Sequence, residues 1–316
     1  MPSLLFSVVI PVCNEEENIP VLYRRLTAVM ENLCTGVSGT GNSYEIILVD
    51  DGSTDRSWQM IREFHVKDPR VTGVSFSRNF GHHIAITAGL DRAKGQTVIL
   101  MDGDLQDQPE EIPKLCRRLS EGYDIVYGIR KVKKDSLIKR LNSSLFWWFL
   151  NKFSGIHIPR NQTLLRVFDR KVLDVLNGMR ERARFIHGMI AWTGFRVAHQ
   201  EVEHAPRERG ATKYNLVKLF SLAFNAITSF SVVPLKLATY LGLLSSGVGF
   251  CYAIYFLYKK MFLGIPVLGY ASIIVAVLFV GGVQLLILGI IGEYLGRIYQ
   301  EVQARPVYII KEDLPA

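Results

Sequence analysis

Several signatures are missing from this 316-residue chain, and each absence removes a class of function. No GxGxxG follows the first predicted strand and no GxxxxGKS/T occurs, which excludes dinucleotide oxidoreductases and P-loop NTPases. The four cysteines, Cys13, Cys34, Cys116 and Cys251, show no CxxC spacing. They read as buried thiols of a reducing compartment, neither zinc ligands nor a disulfide framework. A signal peptide is not expected: the run Leu4–Ile10 lacks a basic leader, is too short to span a bilayer and breaks at Pro11, so it reads as a first buried strand. There is no internal repeat and no low-complexity tract. The formal charge of +8 is locally concentrated. Arg130, Lys131, Lys133, Lys134, Lys139, Arg140 and Lys152 face the single acid Asp135. With no nucleic-acid-binding motif beside it, such a basic aromatic stretch is suited to anionic lipid and not to nucleic acid.

Long apolar runs are absent before residue 237 and abundant after it. Leu237–Tyr258 and Met261–Gly292 carry no charge, and a helix needs about 20 apolar residues to cross ~30 Å of hydrocarbon. Two spans put both flanks on one side. Lys213, Lys218 and Lys236 precede the first and Arg297, Arg305 and Lys311 follow the second, against Lys259 and Lys260 in the expected connecting loop. That bias predicts a catalytic domain and C-terminal tail in the cytoplasm, at the plasma (inner) membrane. The expected organisation is a catalytic domain over 1–212, a juxtamembrane interfacial helix over 213–232, spans at 233–258 and 264–296, and a cytoplasmic tail over 297–316. Gly281, Gly282 and Gly289 are expected to permit close helix packing, and Gln284 to bond across the hairpin. The small residues of the spans leave room for a homo-oligomer.

The first part of the chain alternates β-branched apolar runs with helical spacing. Strands are predicted at Phe6–Val12, Tyr44–Asp50, Val71–Phe76, Thr97–Asp102 and Asp124–Tyr127, and helices at Glu15–Leu33, Ser57–Phe64, His83–Ala93 and Glu110–Glu121. This order argues for an α/β domain with a mostly parallel sheet, whose site lies beyond the carboxyl ends of the strands. Cys34–Ser43 is expected to be a surface loop. Asp135–Phe153 and Tyr214–Phe230 place Trp, Phe and Leu on one helical face and Lys and Arg on the other, so they are expected to lie at the membrane interface.

Acidic clusters fall at the predicted strand exits. Asp102 and Asp104 flank Gly103, and carboxylates so spaced can face one divalent cation, with Gly103 letting the backbone bend. Mg²⁺ or Mn²⁺ held there would neutralise a departing nucleotide diphosphate. In Asp50-Asp51-Gly52-Ser53-Thr54-Asp55 a carboxylate can accept from a base N–H or a ribose hydroxyl, while Ser53 or Asp55 can cap the following helix. A phosphatase-type Asp-x-Asp is excluded there, because the third position is Gly52. His82 and His83 would line the donor pocket or cap a helix, without zinc partners. His187 is a candidate for the acceptor side.

Ser7-Val-Val-Ile-Pro-Val-Cys-Asn-Glu-Glu-Glu-Asn-Ile19, Val49-Asp-Asp-Gly-Ser-Thr-Asp55, Ser77-Arg-Asn-Phe-Gly81 and Met101-Asp-Gly-Asp-Leu-Gln-Asp107 together resemble family 2 inverting glycosyltransferases of the GT-A fold. Arg207-Glu-Arg-Gly-Ala-Thr-Lys-Tyr214 and Gly292-Glu-Tyr-Leu-Gly-Arg-Ile-Tyr299 narrow the resemblance to the polyprenyl-phosphate glycosyltransferases, which include bactoprenol glucosyltransferases, aminoarabinose-type transferases and dolichol-phosphate mannose synthase. The resemblance implies a nucleotide-sugar pocket at Pro11, Glu15, Asp51, Asp102 and Gln106. It also implies a metal and diphosphate site at Asp102, Asp104 and Gln106, and an acceptor-phosphate site at Arg130, Arg140, Ser144, Arg207 and Lys213. Catalysis would then rest on Asp104, Arg130, Arg140, Arg207 and Lys213.

The expected reaction is an inverting, metal-dependent transfer of a hexose-type sugar from a nucleotide sugar, UDP-glucose in the first instance, to undecaprenyl phosphate for cell-envelope glycan modification. An aminoarabinose derivative or mannose is the alternative cargo. Many relatives carry Gly-Asp-Phe-Arg-Leu where this chain reads Thr163-Leu-Leu-Arg-Val167, so an acid is replaced by Leu164. Ala211 and Asn225 also depart from the usual residues. A processive polysaccharide synthase would need QxxRW and more spans. A catalytically idle nucleotide-sugar-binding or partner-binding protein would show eroded acidic motifs, yet Asp51, Asp102 and Asp104 are intact.

Overall fold

The computed structural model describes residues 4–38, 44–130, 162–182, 184–203, 231–263 and 269–315. The expectations for Asp135–Phe153, Tyr214–Phe230, Arg140, Ser144, Arg207 and Lys213 lie outside the described residues. The chain divides into two compact units, one holding the sheet together with residues after 304, the other the long apolar helices.

Three strands, β1 (Phe6–Val12), β2 (Tyr44–Asp50) and β3 (Val71–Phe76), are buried at every position. That is the pattern of parallel strands covered on both faces, and their β-branched composition suits it. β4 (Thr97–Leu100) pairs in parallel with β1. Beyond this core the sheet becomes mixed. β6 (Gln162–Asp169) runs antiparallel to β4 and to β5 (Ile125–Arg130), β7 (Val197–Val202) is parallel to β5, and β8 (Ile310–Leu314) is antiparallel to β3. The eight-stranded order is β7-β5-β6-β4-β1-β2-β3-β8. Two differences from the sequence reading matter. Residues 310–314, expected in a cytoplasmic tail, form a strand of the sheet, because β3 would otherwise present an unpaired edge. β4 ends at Leu100, so Asp102 lies in the loop beyond the strand.

The helices α1 (Ile19–Ser38), α2 (Ser57–Lys67), α3 (His82–Arg92), α4 (Ile112–Ser120), α5 (Arg170–Gly178) and α6 (Ile186–Trp192) cover the sheet. α1 continues through Cys34, whose side chain is fully buried beside Met30 and Tyr44, so the surface loop expected from residue 34 does not begin there. The apolar spacing of Leu22, Leu26 and Met30 carries the helix past the first Gly and Thr. Cys13 and Cys251 are exposed, against the expectation of buried thiols.

The second unit contains α7 (Val233–Leu263) and α8 (Tyr270–Val302), both long and apolar enough to cross a membrane. α7 runs on through Lys259 and Lys260 to Leu263, so both lie in the helix, Lys260 in its last turn, and not in a loop. Lys is a good helix former, and the Lys259 ammonium lies 5.4 Å from the Tyr255 ring. α8 continues beyond residue 296, supported by the Glu293–Arg297 pair at 3.0 Å, one turn apart. The Tyr294 hydroxyl donates to the Ser231 carbonyl at 2.5 Å and ties the foot of the hairpin. Gly281, Gly282 and Gly289 do not make the close approach expected of them, since a Cβ at each would meet open space. At Gly242 a Cβ would make only an ordinary contact, 3.7 Å from Ile287 Cδ1. Gln284 is exposed, with no bond across the hairpin among the described residues.

Candidate active site

The register that aligns Val12 with Asp50 brings the loops after β1 and β2 side by side. They are stitched by hydrogen bonds. Asn14, in the left-handed region at φ 58, donates its N–H to Ser53 Oγ (2.9 Å) and accepts from the Thr54 N–H (2.8 Å). The Glu15 and Glu16 N–H groups donate to Ser57 Oγ (2.9 Å) and Asp55 Oδ2 (3.2 Å). Asp55 also accepts from the Ser57 N–H at 2.9 Å, serving the first turn of α2. These contacts hold its carboxyl below the usual range against the opposing effect of burial. Pro11 is buried within β1, and Glu15 accepts from Asn18 Nδ2 at 2.5 Å.

Asp51, read from sequence as a base or ribose contact, is itself buried. Its carboxylate accepts the N–H groups of Phe80 (2.7 Å) and Gly81 (3.0 Å). Burial pushes its pKa up, and those two N–H donors oppose the push. The carboxylate thus holds the 77–81 loop against the end of β2. Gly52 makes the clasp possible: it has φ +68, and a Cβ there would lie 2.5 Å from the Arg78 carbonyl carbon.

Past β4 the chain turns sharply. Gly103 sits close against β1, where a Cβ would come a tight 3.2 Å from the Pro11 carbonyl oxygen. The left-handed residue of the turn is Leu105 (φ 60), not Gly103. Asp104 accepts from the Gln106 N–H at 3.1 Å, and the buried Asp107 accepts from the Leu165 N–H at 2.9 Å, fixing the loop to β6. Asp102 is pushed up to about 8, first by burial and then by the charges of Asp104, Asp107 and Glu15, with Arg166 opposing. His82 Nε2 lies 3.6 Å from Asp102 Oδ1. Burial lowers the pKa of His82, so this contact is not an ion pair at neutral pH. Arg130 is exposed at the end of β5. Among the described residues, no group of three or more His, Cys, Asp or Glu side chains forms a metal cage by itself.

One component was not foreseen. Arg166 on β6 aligns with Leu100 on one side and Tyr127 on the other, beneath the Asp102 loop. It is wholly buried, lies over the Tyr127 ring at 5.0 Å, and donates to the carbonyls of Leu164 and Thr163, each at 3.1 Å. Its Nη2 meets His187 Nδ1 at 2.6 Å. A guanidinium only donates, so that nitrogen accepts and the imidazole proton sits on Nε2. His187 is held well below its usual pKa by burial and by Arg166, and His83 is lowered to about 4 by burial, His82 and Arg166. Arg166 Nη1 and His83 Nδ1 are buried with no hydrogen-bond partner among the described residues. The signal in the sequence was a charged residue inside the apolar run Leu164–Phe168.

Comparison with known proteins agrees with this architecture. The model of glycosyl transferase family 2 matches residues 7–180, and that of the GtrB C-terminal hairpin matches residues 233–298. The chain is 43% identical over 308 residues to the uncharacterized glycosyltransferase YkcC of Bacillus subtilis, covering 97% of this chain and 93% of that one. It is 40% identical over 307 residues to the SfII prophage-derived bactoprenol glucosyl transferase of Shigella flexneri, covering 97% of each. It is 38% identical over 311 residues to the undecaprenyl-phosphate 4-deoxy-4-formamido-L-arabinose transferase of Aeromonas hydrophila, covering 98% and 93%. With one model spanning more than half of the chain and these relatives spanning nearly all of it, the protein belongs to glycosyl transferase family 2, as a glycosyltransferase with a GT-A type catalytic unit.

Proposed function

We propose that this glycosyltransferase moves a hexose-type sugar from a UDP-sugar to a polyprenyl phosphate at the membrane, with inversion and with a divalent cation. The observation that carries the reading is the gathering of Asp102, Asp104, Asp107 and Glu15 past the carboxyl ends of β4 and β1, near enough that, after burial, the neighbouring carboxylates raise the pKa of Asp102. A divalent cation relieves such a cluster, and a nucleotide diphosphate brings the further oxygens that an incomplete protein cage needs. Asp102 and Asp104, with Gln106, would hold Mg²⁺ or Mn²⁺. When bound, the ion supplies charge neutralisation for the departing diphosphate. The relatives that act on bactoprenol or undecaprenyl phosphate support a lipid acceptor, and the apolar hairpin supports a membrane location.

In this reading Pro11, Glu15 and Asp51 shape the nucleoside side of the pocket, Asp51 by fixing the 77–81 loop. Arg130, Arg140, Ser144, Arg207 and Lys213 align the acceptor phosphate, for which guanidinium forks and an ammonium are suited. A phosphate oxygen attacks the anomeric carbon opposite the diphosphate, and the bond from that carbon to the diphosphate oxygen breaks as its electrons leave with the nucleotide. A phosphate monoester with a second pKa of about 6 is already anionic at neutral pH, so Leu164 in place of an acid does not stop the reaction. The basic flanks of the hairpin favour a cytoplasmic catalytic unit.

The test uses purified protein in detergent with undecaprenyl phosphate and a panel of radiolabelled nucleotide sugars, with Mg²⁺ or with EDTA. Label extracted into organic solvent from one donor, and lost with EDTA, is the expected result. No extracted label from any donor, with calorimetry showing nucleotide binding, would instead indicate an idle binding protein.

A further inference from the structure

We infer that Tyr308, in the segment leading into β8, is a positioning residue for the donor nucleotide, acting through the 77–81 loop that Asp51 holds. The inference rests on the donor-site reading given above.

The connection is continuous and internal. β8 pairs with β3 from Gly73↔Leu314 to Phe76↔Ile310, with a register shift at Ser75/Phe76. The ladder then continues one step past β3, where the Ser77 N–H donates to the Ile309 carbonyl at 3.0 Å. The first residue of the loop is therefore held by the segment that follows the hairpin. A chain of rings runs parallel to this. Tyr308 stacks on the buried Phe76 (centroids 5.2 Å, planes 19° apart), and Phe76 meets Phe80 edge-on at 5.6 Å. The N–H of Phe80 is one of the two donors to Asp51. The Arg78 guanidinium covers the Phe80 ring at 4.0 Å.

Tyr308 is itself braced. Its hydroxyl donates to Asp91 Oδ2 at 3.0 Å, and Asp91 also accepts from Arg180 Nη1 at 2.9 Å. Burial and Asp91 push the hydroxyl up to about 12, so it remains a donor at neutral pH. The strand is pinned on both flanks, by Trp58 Nε1 donating to Glu312 (2.9 Å) from α2 and by Arg92 donating to Asp313 (2.8 Å) from α3. These grips concentrate on β3, on the loop after it and on the helices that flank it, which is the nucleoside side of the pocket. Among the described residues the contacts of Asp102 and Asp104 run to His82 and to the Gln106 N–H, not to β8. A merely edge-covering strand would stabilise the sheet without favouring one substrate. A strand that fixes the 77–81 loop acts on donor affinity in particular.

The experiment compares full-length wild type, Tyr308→Ala and Tyr308→Phe in detergent, measuring KM for donor, KM for acceptor, kcat and UDP binding by calorimetry. Loss of an aromatic stack predicts a rise of about three- to tenfold in donor KM and UDP Kd for Tyr308→Ala, with kcat and acceptor KM unchanged. Tyr308→Phe keeps the ring and restores donor KM to within about twofold. If Tyr308→Ala does not fold, Tyr308→Leu, which keeps apolar volume without the flat face, carries the same expectation. An unchanged donor KM, or a parallel change in both KM values, overturns the inference. Wild type that fails to bind UDP would overturn the donor-site reading instead.

Discussion

The two sides of the site are built on opposite principles. On the β1–β2–β3 side, Asp50, Asp51, Asp55 and Glu16 each accept from backbone N–H groups, and the loops lock together around Gly52. Polar groups so satisfied lose little on burial and fix one geometry. On the β4–β6 side, burial and neighbouring carboxylates disfavour the charged form of Asp102, while Arg166 Nη1 and His83 Nδ1 have no hydrogen-bond partner among the described residues. An unmet buried polar group costs about 1–3 kcal/mol, a cost tolerated where a ligand is to be bound. The first side is a finished mould, whereas the second is completed by what binds to it.

Three measurements break or sharpen this contrast. The largest effect is expected from Asp104→Asn on the unbalanced side. Transfer should fall by on the order of 10²–10³ or more with the melting temperature unchanged, and near-normal turnover would remove the metal role. Next is Gly52→Ala on the satisfied side. A left-handed alanine costs about 1–2 kcal/mol, and overlap with the Arg78 backbone adds about 1–3 kcal/mol, so chemical denaturation should show a clear loss of stability. A loss under about 0.5 kcal/mol would mean that the clasp is not tight.

The smallest effect is a pH dependence of Mn²⁺ binding, read by electron paramagnetic resonance. Because the carboxyl of Asp102 titrates near 8, a proton competes with the ion below that pH. Affinity should rise up to about tenfold per pH unit between about pH 6 and 8 and level off above. With no cation, the sign for stability is the reverse. A carboxyl whose folded pKa exceeds its unfolded value of about 3.9 makes the fold less stable as pH rises through that window. A flat binding profile would place the ion away from Asp102.

How much of this could be read in advance depended on how each element is covered. β1, β2 and β3 were visible because strands buried on both faces must be apolar throughout, and the acidic clusters at their exits were visible for the same reason. β7 reads Val-Ala-His-Gln-Glu-Val and β8 Ile-Lys-Glu-Asp-Leu. Edge strands with polar sequences are defined by the partner they pair with, so composition did not reveal them. Arg166 escaped because its meaning depends on Leu100, Tyr127 and His187, which only the folded sheet brings around it. Asp51 was singled out from its place after β2, but its burial and its bonds to the Phe80 and Gly81 N–H groups are properties of packing. The acceptor-side residues Arg140, Ser144, Arg207 and Lys213 lie outside the described residues and rest on resemblance alone.

The place of β8 in the chain has a consequence for the order of assembly. Trp58 and Glu312 are 254 positions apart, with both hairpin helices between them. During synthesis β3 is therefore made long before its outer partner, and its edge stays open until the hairpin has been produced. Open strand edges invite pairing with other chains, so the half-made catalytic unit is most prone to aggregate in that interval. Completion of the sheet is thereby coupled to completion of the hairpin. A chain interrupted within α7 or α8 would lack the strand that closes its own sheet.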